Sequence, residues 1–107
     1  MKNAWIALAW LAAASFAPGA RAQDAAAGKA KAAACAMCHG PQGIAVAPDT
    51  PNLAGQPASY LSEQLKAYRG GGRKHEIMSL MAKPLSDADI ANLAAWFSSV
   101  KVQATPP

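Results

Sequence analysis

The sequence predicts an all-α domain of three to four helices, on three observations. Residues 24–38 are built largely of alanine, the strongest helix former. Residues 86–100 carry apolar side chains at helical spacing behind a capping signature. The segments between them are punctuated by proline and glycine, and none alternates as a half-buried strand does.

The N-terminus is expected to lie outside this domain. Lys2, the apolar run Ala4 to Ala17, the break at Pro18-Gly19 and the small residues of Ala20-Arg21-Ala22 read as a secretory signal peptide cleaved after Ala22. The run is short of the ~20 residues that cross a bilayer, so no stable membrane insertion is expected after cleavage. Residues 1–22 are thus the leader and residues 23–107 a single domain in the periplasm. Losing Lys2 and Arg21 with the leader takes the formal charge from +4 to +2. No basic run exceeds the pair Arg73-Lys74, which excludes a nucleic-acid footprint. A chain this short buries a modest core and gains from a disulfide, metal or cofactor.

Within the domain, the alanine-rich segment from Asp24 predicts a helix running into the cysteine motif and ending at Gly40-Pro41. Residues 40–57 hold Pro41, Pro48, Pro51 and Pro57 with Gly40, Gly43 and Gly55, and are expected to be loop. Leu61, Leu65 and Tyr68 share one face of a helix over Ala58 to Arg69, which Gly70-Gly71-Gly72 stops. Residues 73–84 read as a structured loop with room for a short helical turn. The last helix is the plainest. Ser86-x-x-Asp89 has the form of a capping box, and Ile90, Leu93, Phe97 and Val100 form an apolar stripe with Trp96 beside it. The tail Gln103 to Pro107 lacks an apolar anchor and should fray.

Residues 35–40 read Cys-Ala-Met-Cys-His-Gly and contain both cysteines of the chain. A thioredoxin-like redox site would need a preceding strand in a βαβ setting, and none is expected here. A structural zinc site would need Cys35, Cys38, His39 and distant His75 around one small ion, yet adjacent residues on a helix diverge by about 100°. Covalent haem attachment fits better, and C-x-x-C-H is its signature. Thiols one turn apart reach two vinyl groups on one porphyrin edge, and the adjacent histidine offers an imidazole to the iron. The thioethers also explain why an exported cysteine pair would not close a disulfide. Downstream, Met78, Met81 and His75 are candidates for the far side of the iron, with Tyr60 and Tyr68 weaker. Each methionine could instead fill core, and His75, between Lys74 and Glu76, reads better as an exposed polar residue.

Four motifs in order now resemble a known family: "CAMCHG", "PNLAG" (Pro51 to Gly55), a methionine loop, and "LSDADIANLAAWFSSV". Over Asp24 to Val100 the chain resembles a class I c-type cytochrome of the small bacterial kind. That kind occurs as single-haem, cytochrome c-553-like proteins and as one half of two-haem cytochromes. The resemblance implies a class I cytochrome c fold wrapped around one covalent haem c and its iron. Cys35 and Cys38 would carry the thioethers, and His39 would be the proximal ligand, with the Pro51 carbonyl accepting from its other nitrogen. Leu53 would pack on the haem. The family spacing before Leu85 selects Met78 as the distal ligand, with Met81 as fallback. Gly28 and Trp96 would mark the crossing of the terminal helices. This chain departs from the family in lacking an aromatic in the first helix after Gly28. A haem so held should lie in a cavity lined by Cys35, Cys38, His39, Pro51, Leu53, Tyr60, Leu65 and Met78.

The function so implied is one-electron transfer by a periplasmic carrier, not catalysis. The alternative is the cytochrome subunit of a dehydrogenase or oxidase complex. Partners would be redox proteins docking at the exposed haem edge, steered by Lys74 and Lys83: a membrane oxidase, a quinol-oxidising complex or a periplasmic dehydrogenase. A gas sensor or peroxidase would need an open sixth position, which two methionines argue against.

Overall fold

The computed structural model describes residues 23–107, and the expected leader, residues 1–22, lies outside them. Asp24 opens the first helix. Its Oδ1 accepts from the amides of Ala26 at 2.9 Å and Ala27 at 3.1 Å, satisfying donors that a helix start leaves free. Helix α1 (Ala25–Lys31) then tightens into a 3₁₀ turn (Ala32–Cys35) and resumes as α2 (Ala36–His39). The expected single run is therefore broken. Alanine is the best α-helix former, so nothing in residues 30–34 signals the change. Helix α3 is Ala58–Gly70, α4 is Met78–Ala82 and α5 is Asp87–Ser99; among the described residues there is no strand.

The core gathers where the 3₁₀ turn, α3 and α5 meet. Ala32, Leu61, Leu93, Ala94 and Phe97 form one buried cluster, with Cys35, Leu53, Ala58, Leu65, Leu85 and Trp96 packed on it, half-buried. The predicted stripe of α5 is present, with Ile90, Leu93 and Phe97 buried and Val100 half-buried at the helix end. Both halves of the capping box close: Asp89 N–H donates to Ser86 Oγ and Ser86 N–H to Asp89 Oδ2, each at 3.0 Å.

Helices α1 and α5 cross at Gly28. A Cβ there would run into the Asn92 carbonyl oxygen and come within 2.9 Å of Trp96 Cβ, so only glycine admits this approach. The Asp24 amide donates to Asn92 Oδ1 at 3.0 Å, and Lys31 Nζ lies 3.4 Å from Asp89 Oδ2. Lys29 Nζ lies 5.4 Å from the centre of the Trp96 ring. Lysines thus occupy the flanks where the family resemblance implies an aromatic.

Residues 73–84 resolve into more than a loop, because Met78–Ala82 is a short helix. It packs against α3, and beyond it Arg69 Nη1 donates to the Leu85 carbonyl at 2.9 Å while Nη2 pairs with Asp87 at 2.6 Å. The guanidinium therefore ties the end of α3 to the segment leading from α4 into α5.

Candidate functional site

Two thiols and an imidazole reach the site on one continuous piece of backbone. Cys35 ends the 3₁₀ turn, and Cys38 and His39 close α2. Cys35 is packed on the core cluster, and burial pushes its thiol above the usual range by disfavouring the thiolate. Both cysteines are half-buried and unbridged. Met37, between them, is 87 % exposed and faces solvent. His39 is 7 % exposed, the buried polar residue among those described.

A buried imidazole needs a partner, and His39 has one. Its Nδ1 lies 2.9 Å from the Pro51 carbonyl oxygen. A carbonyl can only accept, so Nδ1 carries the proton and Nε2 keeps an uncommitted lone pair. This is the contact the family resemblance implies for the pair. Such a bond holds a ligating ring in orientation and makes its free nitrogen more basic.

The loop after the motif folds back to make that contact. Gly40 turns the chain with φ +76°, in the region that favours glycine, and a Cβ there would strike the Ile44 carbonyl oxygen. The Cys38 carbonyl then accepts from Val46 at 3.0 Å and Ala47 at 3.2 Å. Asn52 Oδ1 accepts from the Ala45 amide at 2.7 Å, while Leu53 and Ala54 donate to the Gly43 carbonyl at 2.7 and 3.1 Å. Gly55 N–H reaches the Phe97 carbonyl at 2.9 Å. Pro51 is thus presented to His39 by a loop tied to α2 at one end and α5 at the other.

The expected cavity residues divide into two groups. Cys35, Leu53 and Leu65 pack against the core cluster, Cys38 is half-buried, His39 is buried, and Pro51 is exposed but offers its carbonyl. Tyr60 is 46 % exposed on α3 and is not part of that cluster. Met78 is half-buried at the start of α4, and Met81, one turn on, is 40 % exposed. A depression of about 730 Å³ opens elsewhere, between the end of α3 and α4; Tyr68, Lys74, His75, Leu80 and Lys83 are among its lining, and none of the expected cavity residues is. His75 is exposed as expected, but it also makes backbone contacts at the start of α4 that its neighbours in sequence do not signal.

The donor set fits a haem better than a bare metal ion. Among the described residues no three His, Cys, Asp or Glu side chains gather around one point. Two free thiols one turn apart, a buried imidazole with an open nitrogen and a thioether on a separate strap match an iron porphyrin joined through sulfur. The chain's own core is also thin. Ile90 and Leu93 are its largest fully buried side chains, while Val46, Ile77, Leu80 and Met81 stay exposed. A prosthetic group that brings apolar bulk suits a domain of this size.

Known proteins agree. A family model for cytochrome c matches residues 25–101. Cytochrome c-554(548) of Halomonas halodenitrificans is 52 % identical over 81 residues, covering 73 % of this chain and 98 % of that protein. The thiosulfate dehydrogenase electron acceptor of Thiomonas intermedia is 41 % identical over 101 residues, 94 % of this chain and 42 % of that one. The crystal structure of reduced cytochrome c4 from Pseudomonas stutzeri superposes with a TM-score of 0.70 at 45 % identity, covering 75 % of this chain and 47 % of that one. The chain spans about half the length of these last two relatives. With the motif, the all-helical architecture and these likenesses together, the chain belongs to the cytochrome c family.

Proposed function

We propose that this chain is a one-electron carrier working in the periplasm after removal of residues 1–22. Cys35 and Cys38 hold one haem c through thioethers, His39 is the proximal ligand, and Met78 is the distal ligand with Met81 as its fallback. The observation that carries the reading is the His39–Pro51 contact, which leaves a buried imidazole nitrogen free to bind iron. The haem, when bound, supplies an iron that alternates between ferrous and ferric. Everything else is the work of the chain. His39 and Met78 would hold the iron between them, and a thioether donor would raise its reduction potential. Pro51 keeps the imidazole from turning. Leu53 and Leu65 keep water from the site, which disfavours the extra ferric charge. Among the described residues no helix is long and apolar enough to cross a membrane.

The partners are redox proteins: a membrane oxidase, a quinol-oxidising complex or a periplasmic dehydrogenase. They dock at the haem edge, with Lys74 and Lys83 steering the encounter. A second reading makes the chain the cytochrome subunit of a dehydrogenase complex. The likeness to a thiosulfate dehydrogenase electron acceptor over 94 % of the chain favours it.

The test is a visible spectrum of the exported, reduced protein with and without carbon monoxide. A c-type spectrum that carbon monoxide leaves unchanged is expected. A shifted spectrum means an open sixth position and a sensor or catalyst; absence of haem bands from a host competent in attachment removes the reading altogether. Gel filtration of native-host material then separates a free carrier from a complex subunit.

A further inference from the structure

His75 makes four polar contacts that together close the start of α4. Its Nδ1 lies 3.2 Å from the amides of both Ile77 and Met78, and its own amide donates to Ser79 Oγ at 3.0 Å. Its carbonyl accepts from the Ser79 amide at 3.0 Å. Two residues before the N-cap Ile77, the imidazole thus accepts from the first amides of the turn, as a Ser, Thr, Asp or Asn side chain does at many helix starts. Accepting at Nδ1 puts the ring proton on Nε2.

The ring is itself held from α3. Its centre lies 6.5 Å from that of Tyr68, edge to face at 74°, and the Arg73 guanidinium lies 4.7 Å from the Tyr68 ring centre. Helix α4 is five residues long, too short to hold its shape unaided, and a run of three glycines precedes it closely. Nothing intrinsic to Met78 therefore fixes its backbone. The cap does, at the very amide of that residue, while Arg69 pins the far end at Leu85.

We infer that His75 is a positioning residue for Met78: by holding the Met78 amide it sets the reach of the thioether before iron is bound. The inference rests on the reading of Met78 as distal ligand. Loss of these hydrogen bonds lets the strap lift, so Met78 would hold the iron for a smaller share of the time, without changing any atom that would touch it. An asparagine, whose Oδ1 stands one bond from Cγ as Nδ1 does, keeps the acceptor.

The test uses the haem-loaded protein and its His75→Ala, His75→Asn and Met78→Ala variants. Two readouts apply: the rate of carbon monoxide binding to the ferrous form, and the weak red absorption that marks sulfur on ferric iron. Met78→Ala should bind carbon monoxide freely and lose the red band. His75→Ala should bind about fivefold faster than the parent, the fold-change one helix cap is worth, with a weakened band. His75→Asn should return to within about twofold of the parent. A His75→Ala variant matching the parent overturns the inference while Met78→Ala still opens the site, and so does a His75→Asn variant as open as the alanine one. A Met78→Ala protein that stays closed overturns the distal-ligand reading instead, and this inference with it.

Discussion

His39 shows how much of a residue's role is decided by its neighbours. Two nitrogens compete for partners, and one carbonyl, that of Pro51, commits the first and thereby releases the second. The sequence made the histidine legible through Cys-x-x-Cys-His, whereas the carbonyl followed only from the family likeness of "PNLAG", because a backbone acceptor has no letter of its own. Ser86 is the opposite case, a role fully written in its side chain. Its hydroxyl takes the Asp89 amide, and Asp89 returns the bond. Ser86→Ala removes the acceptor and should cost about 1 kcal/mol, while Ser86→Gly should cost a few tenths. Urea unfolding of the haem protein at neutral pH measures both. The visible spectrum should not change, since the cap lies on α5 and not on the ligand strap. An unaltered urea midpoint in Ser86→Ala would show that the Asp89 half of the box suffices.

At the scale of elements, the protein depends on one close crossing. Helices α1 and α5 approach so closely at Gly28 that no side chain fits between Asn92 and Trp96. Gly28→Ala must push the helices apart and should destabilise by roughly 1–3 kcal/mol, the range for overpacking. The predicted gain in helix propensity, up to about 1 kcal/mol, offsets only part of that. A thermal melt of the variant above or equal to the parent's would refute the crossing as described. The helices themselves were unevenly legible. Those with a periodic apolar face, α3 and α5, were visible because burial repeats every three or four residues. The 3₁₀ turn at Ala32–Cys35 was invisible because its alanines read as the best α-helix formers and nothing in them marks the tighter winding. Helix α4 was uncertain for a different reason. Five residues show no period, and the side chain that takes the first amides is a histidine two residues before the N-cap Ile77, which capping statistics do not flag.

The whole molecule joins its pieces through few charged contacts, and two of them face acid directly. Arg69 beside Asp87 holds that carboxyl below the usual range, first by hydrogen bond and then by charge. Asp89 is lowered chiefly by the Ser86 amide, with Lys31 of α1 adding to it. Both groups therefore bind protons less readily folded than unfolded. Their contribution is fully present above the unfolded value of about 3.9, and it is lost as pH falls through the lower folded values. The two contacts join α3 to the start of α5 and α1 to its first turn, so protonation loosens the frame from outside while the haem site is untouched. The urea midpoint of the haem protein should hold from pH 7 to about pH 5 and decline below about pH 4. Asp87→Asn combined with Asp89→Asn should begin lower and fall less steeply, because the groups that gain protons on unfolding are gone. The exposed ion pairs should soften in high salt, but the Ser86–Asp89 hydrogen bonds should not, so added salt should weaken the acid dependence without abolishing it. If the double variant declined as steeply as the parent, the acid sensitivity would belong to other carboxylates and not to these two contacts of α5.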